Sequence, residues 1–226
     1  MIGITGTTGR LGKEIVKILP EAIPIGRSIP NEKYSILLHC AAPRANNNEA
    51  IKEFTNFNIE LRKYCDRYNP KIINVGSCWQ ILRGNSYTTE YAMLKRQQTE
   101  MFPEATHIIP YWIYGEERGF IYDLTQSILK NKNINTAGYW DRDFVCVTDV
   151  AKDIVKAIDL DNTMYASCTQ QLIRPFLLAH HYNIKVEPKE PYIWTLVDYP
   201  LQFVPNSKYI SVYEWIEQKT GIKKFI

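Results

Sequence analysis

Short β-branched apolar runs alternate with amphipathic stretches over the first 160 residues of this chain, and that alternation restricts its fold more than any other feature. The strand-like segments are Met1–Thr5, Ala22–Gly26, Ile36–Cys40, Lys71–Val75, His107–Tyr114 and Phe144–Val147. Helical spacing falls between them. Leu11, Ile15, Ile18 and Leu19 share one face, and so do Ile51, Phe54, Leu61, Tyr64, Cys65 and Tyr68 of a helix expected over 48–68. Further helices are expected over 91–102, 122–130 and 150–160. Strands separated by helices pair in parallel and are covered on both faces, so the pattern predicts an α/β chain with a doubly wound parallel sheet. Pro24 removes a ladder donor and makes the second strand short. Beyond Leu160, five prolines cut the chain into short pieces, and Tyr213–Thr220 is the clearest helix.

Composition excludes several classes. A chain of 226 residues suits one domain plus a small appendage and buries its own core. No apolar run approaches 18 residues, so no membrane span is expected. The strand-like start at Met1 leaves no room for a signal or transit peptide. The net charge of +3 is spread without a basic block, which gives nucleic acid no electrostatic footprint. Cys40, Cys65, Cys78, Cys146 and Cys168 are odd in number and far apart. With no CxxC or Cys/His cluster, neither structural zinc nor a disulfide scaffold is expected. A reduced, cytoplasmic protein is the default reading, with no metal site.

The run Gly6-Thr7-Thr8-Gly9-Arg10-Leu11-Gly12 lies between a strand and a helix. Glycine lets backbone approach a pyrophosphate, and the helix N-terminus favours its negative charge. Gly6, Thr8, Gly9, Arg10, Leu11 and Gly12 are therefore candidate cofactor contacts, the alternative being a tight turn with no ligand. In dinucleotide folds the end of the second strand selects the cofactor: an acid binds the ribose hydroxyl, whereas an arginine accommodates a 2′-phosphate. Here that strand ends Ile25-Gly26-Arg27-Ser28. Arg27 and Ser28, with Arg10 as a second phosphate partner, favour NADP(H) over NAD(H). Both arginines read equally well as solvated surface cations.

Tyr91-Ala-Met-Leu-Lys95 is a YxxxK pair. With 15 tyrosines in the chain, such a pair arises about once by chance, so its position carries the weight. It falls at the start of a helix, with both side chains on one face. A neighbouring ammonium would stabilise the phenolate and lower the Tyr91 pKa, making it a usable acid or base. Ser77 ends a strand at the C-terminal edge, where ligands bind in open α/β sheets, and can donate to the same substrate oxygen. A serine there also serves as a plain turn residue.

These residues together resemble the extended short-chain dehydrogenase/reductase family, the NAD(P)-dependent nucleotide-sugar epimerases, dehydratases and ketoreductases. Residues 5–12 resemble its TGxxGxxG turn. His39-Cys40-Ala41-Ala42 resembles the H-x-A-A that lies against the cofactor, and Val75-Gly76-Ser77 the strand with the catalytic Ser/Thr. Tyr91 and Lys95 match YxxxK. Pro110–Gly115 resembles a loop that packs on the nicotinamide, which implies contacts from Tyr111 and Ile113. Residues 138–151 resemble G-x-x-x-R-D-F-V-H-V-x-D-V-A, whose arginine, here Arg142, contacts the substrate diphosphate. The resemblance implies a seven-stranded Rossmann sheet and a homodimer formed through Asn48–Tyr68 and Tyr91–Phe102. It also implies an NAD(P)-binding domain over 1–160, with 115–142 contributing to the substrate site, and a small substrate-binding region over 161–226.

This chain departs from the family in its short substrate-binding segments. Ser77 to Tyr91 spans only 14 positions, so a large nucleotide-sugar is a less natural substrate than a smaller relative. Cys78-Trp79 replaces the Asp-Glu pair of the dehydratases, which argues against a 4,6-dehydratase. Cys78 is a weak acid/base candidate or a buried hydrophobe. Trp79 and Trp112 wall a substrate site or belong to the core. Arg174, Tyr192, Trp194 and Tyr199 are substrate-contact candidates without a motif, and Asn56 and Asn58 compete for the family's helix asparagine. The four histidines are structural or surface residues. The expected activity is hydride transfer at a keto or hydroxyl carbon, ketoreduction favoured. Tyr91 is its acid/base, Lys95 holds the ribose, and Ser77 polarises the oxygen. The alternatives are an NAD-dependent nucleotide-sugar epimerase and a non-catalytic NADP(H)-binding sensor or subunit.

Overall fold

The computed structural model describes residues 1–43, 47–81, 89–138, 141–189 and 201–223. The chain opens with β1 (Ile2–Thr5), α1 (Arg10–Ile18), β2 (Ile23–Ile25), β3 (Ile36–His39), α2 (Asn48–Tyr68), β4 (Lys71–Val75), α3 (Glu90–Met101) and β5 (Thr106–Pro110). It continues through β6 (Trp112–Tyr114), α4 (Phe120–Lys130), β7 (Ile134–Gly138), β8 (Arg142–Cys146), α5 (Val147–Lys156) and β9 (Met164–Ser167). It ends with β10 (Leu172–Ile173), α6 (Pro175–His181), β11 (Val186–Lys189), β12 (Gln202–Phe203) and α7 (Val212–Thr220). Seven strands form one sheet in the order β12-β9-β5-β4-β3-β1-β2, every pair parallel. This is the doubly wound sheet that the strand–helix alternation predicts.

Successive strand residues face opposite layers. Ile4, Leu38, Ile73 and Ile108 pack with Ile15 of α1 and Val150 and Ile154 of α5. Leu37 and Ile72 turn the other way, onto Leu61 and Cys65 of α2 and Phe102 at the end of α3. β2 is an edge strand, which is where its proline is tolerated.

The common doubly wound order puts two further strands beyond the first on this side. Here only β2 flanks β1, and residues 26–35 return to β3 without a helix. Tyrosines from α2 hold this crossover. The Tyr64 hydroxyl accepts from the Tyr34 amide and donates to the Glu32 carbonyl, both at 2.8 Å, and Tyr68 donates to the Asn31 carbonyl. Tyr34 is fully buried against β1, where a Cβ on Gly3 would lie 3.0 Å from its ring.

One expectation is corrected. The strand anticipated over His107–Tyr114 is two strands in different sheets. Pro110 ends β5; the Tyr111 amide then donates to Ser167, and β6 leaves to pair with β8 in a three-stranded sheet completed by β10. Packing crosses residue 160 in both directions. β9 and β12 lie beyond it yet belong to the main sheet, while β6, α4 and β8 precede it and join α6 and α7 in a second core. Tyr114, Leu124, Phe144, Leu178, Trp215 and Ile216 fill that core. Two aspartates of α5 join the halves. The Asp153 carboxylate accepts from Ser167, Ser207 and Tyr209, and Asp149 accepts from the Ile210 amide.

Replacing Tyr64 with Phe removes both bonds to the crossover and strands the buried Tyr34 amide. A loss of about 1–3 kcal/mol of stability is expected, read from the urea midpoint at unchanged m-value.

Candidate active site

Parallel strands aim their C-terminal ends at one edge, and the residues singled out from the sequence gather there. β1 runs into Gly6, whose φ of +74° is the left-handed turn that glycine tolerates. The turn is also close-packed: a Cβ on Gly6 would lie 2.8 Å from the backbone of Cys40 and Ala41 at the end of β3. The Gly6 carbonyl accepts from the Gly9 amide at 3.0 Å, and a Cβ on Gly12 would collide with that same oxygen. Gly9 caps α1, whose first turn has no acidic residue. The result is a backbone cradle at a helix N-terminus, which fits a pyrophosphate. Thr8 is exposed beside it, and Leu11 points down into the sheet core.

A buried polar chain fixes this turn to its neighbours. The His39 imidazole lies between Thr5 Oγ1 (2.8 Å) and Asn58 Oδ1 (2.9 Å), and the Ala41 amide donates to Thr5 Oγ1. Burial holds the His39 pKa down to about 3, so the ring is neutral. Nε2–H then donates to Asn58, and Nδ1 accepts from Thr5. Of the two candidate helix asparagines, Asn58 is buried in this chain of bonds and Asn56 is exposed.

The two arginines expected near the cofactor differ. Arg27 follows β2 with its side chain 76% exposed and only a loose 3.9 Å contact to Glu53. Ser28 beside it is exposed. Arg10 instead donates to the carbonyls of Ile113 (2.9 Å) and Arg118 (3.1 Å). Its guanidinium ties the glycine turn to the loop after β6.

Ser77 leaves β4 and caps a short 3₁₀ turn, Cys78–Gln80. Gln80 folds back, accepting from the Ser77 amide and donating to Thr99 Oγ1 of α3. A side chain on Gly76 would collide with Gln80, so the glycine makes room for this brace. The Ser77 side chain stands next to the Tyr91 phenol; burial raises the phenol's pKa and Ser77 lowers it. Ser77 and Tyr91 are thus neighbours at this edge, and Gln80 braces Ser77 against α3. Gln80 was not singled out from the sequence; a glutamine three residues after a cap serine is the signal that finds it.

Lys95 is 2% exposed and donates to the Val75 carbonyl (2.9 Å), Gln98 Oε1 (2.9 Å) and, longer, the Ala41 carbonyl (3.4 Å). Burial pulls its pKa down to about 8. The expected lowering of the Tyr91 pKa by Lys95 is not found. Burial raises the phenol, and Ser77 is what pulls it back. The ammonium has turned toward the carbonyls at the ends of β3 and β4.

Cys78, Trp79, Trp112 and Arg142 come together beside Ser77. The Arg142 guanidinium stands 5.6 Å over the Trp112 ring, and burial lowers its pKa to about 10. Trp79 and Trp112 are half-buried, so they line this edge as well as packing beneath it. Cys78, expected as a substrate contact, lies beneath this edge. It is 1% exposed within a cluster with Tyr111 and Cys168, and burial raises its thiol. Tyr111 is likewise inside that cluster rather than on the open edge, and Ile113 packs on the main core. Cys40 and Ala41 are half-buried beside the turn, and Ala42 is exposed. Arg174 pairs with Asp141. Tyr192, Trp194 and Tyr199 lie outside the described residues.

Lys95 has a lower pKa folded than unfolded, so the unfolded chain binds more protons between about pH 8 and 10.5. Its cost to stability is fully present below pH 8 and disappears as pH rises through that window. Relative to Lys95→Met, the wild type should gain roughly 3 kcal/mol over this range. Urea unfolding at both ends of the window checks this; a flat difference would contradict the buried ammonium.

No family model and no curated protein matches the sequence. Solved structures do. A monomeric L-threonine 3-dehydrogenase from a metagenome superposes with TM-score 0.73 at 14% identity, covering 98% of each chain. A UDP-N-acetylglucosamine 4-epimerase from Methanobrevibacter ruminantium M1, in complex with UDP-N-acetylmuramic acid, gives 0.72 at 16%, covering 97% of this chain and 95% of its own. The Bordetella bronchiseptica enzyme WbmH, in complex with NAD+, gives 0.70 at 14%, covering 98% and 99%. At these identities the likeness establishes architecture: the chain has the same Rossmann-type, doubly wound α/β fold as these solved structures.

Proposed function

We propose that the protein is an NAD(P)-dependent oxidoreductase of the extended short-chain dehydrogenase/reductase type, reducing a keto carbon. The observation that carries the reading is the placement of Ser77 next to Tyr91, one helical turn from a buried ammonium and beside a glycine cradle. When bound, the nicotinamide supplies the hydride. The chain's own residues do the rest. Gly6, Gly9 and Gly12 admit the pyrophosphate, and Lys95 faces the ribose. Ser77 donates a hydrogen bond to the substrate carbonyl oxygen, and Tyr91 delivers a proton to that oxygen as the carbinol forms. Burial holds the Tyr91 phenol protonated at neutral pH, which suits an acid more than a base and supports reduction over oxidation.

Arg27 supports NADP(H) over NAD(H), being exposed and loosely paired where a 2′-phosphate would lie. Arg10 is engaged by carbonyls and adds less. Arg142 over Trp112 suits an anionic or sugar-bearing substrate, and the short connections around it favour a small nucleotide-sugar or a lesser relative. NAD-dependent epimerisation is the second reading, favoured by the likeness to a UDP-N-acetylglucosamine 4-epimerase. We place the protein in the cytoplasm as a homodimer built on α2 and α3, where Ile59 (40%) and Met93 (46%) are exposed large apolar side chains. No helix among the described residues is long and apolar enough to cross a membrane.

Tryptophan-fluorescence titration should show NADPH binding at least tenfold tighter than NADH, about 1.4 kcal/mol, with Arg27→Ala removing the difference. Tighter NADH binding would favour the epimerase. Tyr91→Phe should abolish reduction of keto-sugar nucleotides while sparing NADPH affinity. Wild-type protein that binds NADPH yet turns over no keto substrate would leave the non-catalytic sensor as the better account. Sedimentation should give a dimer that Met93→Asp dissociates, whereas a wild-type monomer would overturn the α2/α3 pairing.

A further inference from the structure

The least expected neighbour of Lys95 is Gln98, one turn further along α3. A fully buried ammonium needs its three protons accepted by protein groups. Two acceptors are backbone carbonyls, of Val75 and Ala41. The third, at 2.9 Å, is the amide oxygen of Gln98. Gln98 is itself 1% exposed, and its amide nitrogen is buried with no hydrogen-bond partner among the described residues. Burying a glutamine with one end unsatisfied is unfavourable, so apolar packing alone does not account for it. What its oxygen does is hold the ammonium.

The charge on that partner matters because the other groups facing Lys95 are neutral. From β3 come the Cys40 thiol, whose pKa burial raises to about 12, and the neutral His39 ring. From α2 comes the Phe54 ring, 5.9 Å from Nζ. From β4 comes only the Val75 carbonyl, and Tyr91 stands one turn earlier on α3 as a protonated phenol. An amide accepts a hydrogen bond without neutralising its donor, whereas a carboxylate in the same place would form a closed ion pair. We propose that Gln98 is a positioning residue: its neutral oxygen fixes the Lys95 ammonium at the ends of β3 and β4 while leaving the positive charge uncompensated. The weakest of the three bonds, to Ala41, is then the one that a ribose hydroxyl replaces. This inference rests on the cofactor-side role proposed for Lys95.

The test follows Lys95 directly in the full chain. Lysine carbons are isotope-labelled, the Lys95 Cε resonance is assigned by its loss in Lys95→Met, and its midpoint is followed by NMR from about pH 6 to about pH 11. Wild type should titrate near about 8. Q98E should raise the midpoint by about one unit or more, because a carboxylate stabilises the ammonium. Q98L should lower it, because an acceptor is lost. NADPH affinity should fall about tenfold in Q98E, where the ammonium is pinned away from the cofactor. Equal midpoints in all three proteins would overturn the inference. If Q98E does not fold, Q98L decides: a lower midpoint supports the role and an unchanged one refutes it. Shifted midpoints with no NADPH binding, even by wild type, would uphold the link between Gln98 and Lys95 and refute the cofactor reading.

Discussion

The carbonyl oxygen of Gly6 lies where a side chain at position 12 would have to go, and the backbone of Cys40 and Ala41 lies where one at position 6 would. Two missing Cβ atoms thus let α1 seat on the end of β1 and let β3 close in beside it. The cradle at the sheet edge, the placement of Ala41 near Lys95 and the direction in which α1 presents its N-terminus all follow from that approach. Larger residues at either place would push the helix away from the sheet and open the turn.

Polar groups buried next to the turn make the arrangement specific. Thr5, His39 and Asn58 come from β1, β3 and α2, and each donor has one acceptor. A neutral imidazole suits this chain because it is donor on one side and acceptor on the other. Neighbouring Lys95 is a different case. Its charge is retained inside the fold, and carbonyls at two strand ends bear the consequence. The glycine turn and the lysine therefore share one wall, the end of β3, so a change at Ala41 would be felt by both.

Much of this was legible in the sequence because it is periodic or glycine-dependent. Asn48–Tyr68 and Lys71–Val75 are found with the bounds that their apolar spacing predicts. The turn at Gly6 and the Ser77–Tyr91 pair are where their motifs put them. The misreadings have physical causes. His107–Tyr114 is a continuous apolar run, and a run of that kind does not reveal that Tyr111 hands the chain from one sheet to another. Met164–Ser167 and Gln202–Phe203 are too short for periodicity to register, yet they complete the main sheet. Arg10 and Cys78 were read by residue type, and only packing shows the first bonded to carbonyls and the second enclosed. Gln98 belongs to no motif and Gln80 only to a Ser-x-x-Gln cap; both act through hydrogen bonds that depend on tertiary approach.

The strand order has a consequence for how the protein is made. Apart from β2, every strand of the main sheet joins at the same growing edge, in the order in which it occurs along the chain. No strand has to be inserted between two that are already paired. A nascent chain can therefore add β3, β4, β5, β9 and β12 as each leaves the ribosome, with the turn at Gly6 gaining its backing as soon as residue 42 is out. A short excursion through β10, α6 and β11 precedes β12, and a longer one, through β6, α4, β7, β8 and α5, precedes β9. That longer excursion, rather than the glycine turn, is where partly made chains would expose apolar surface and call on chaperones.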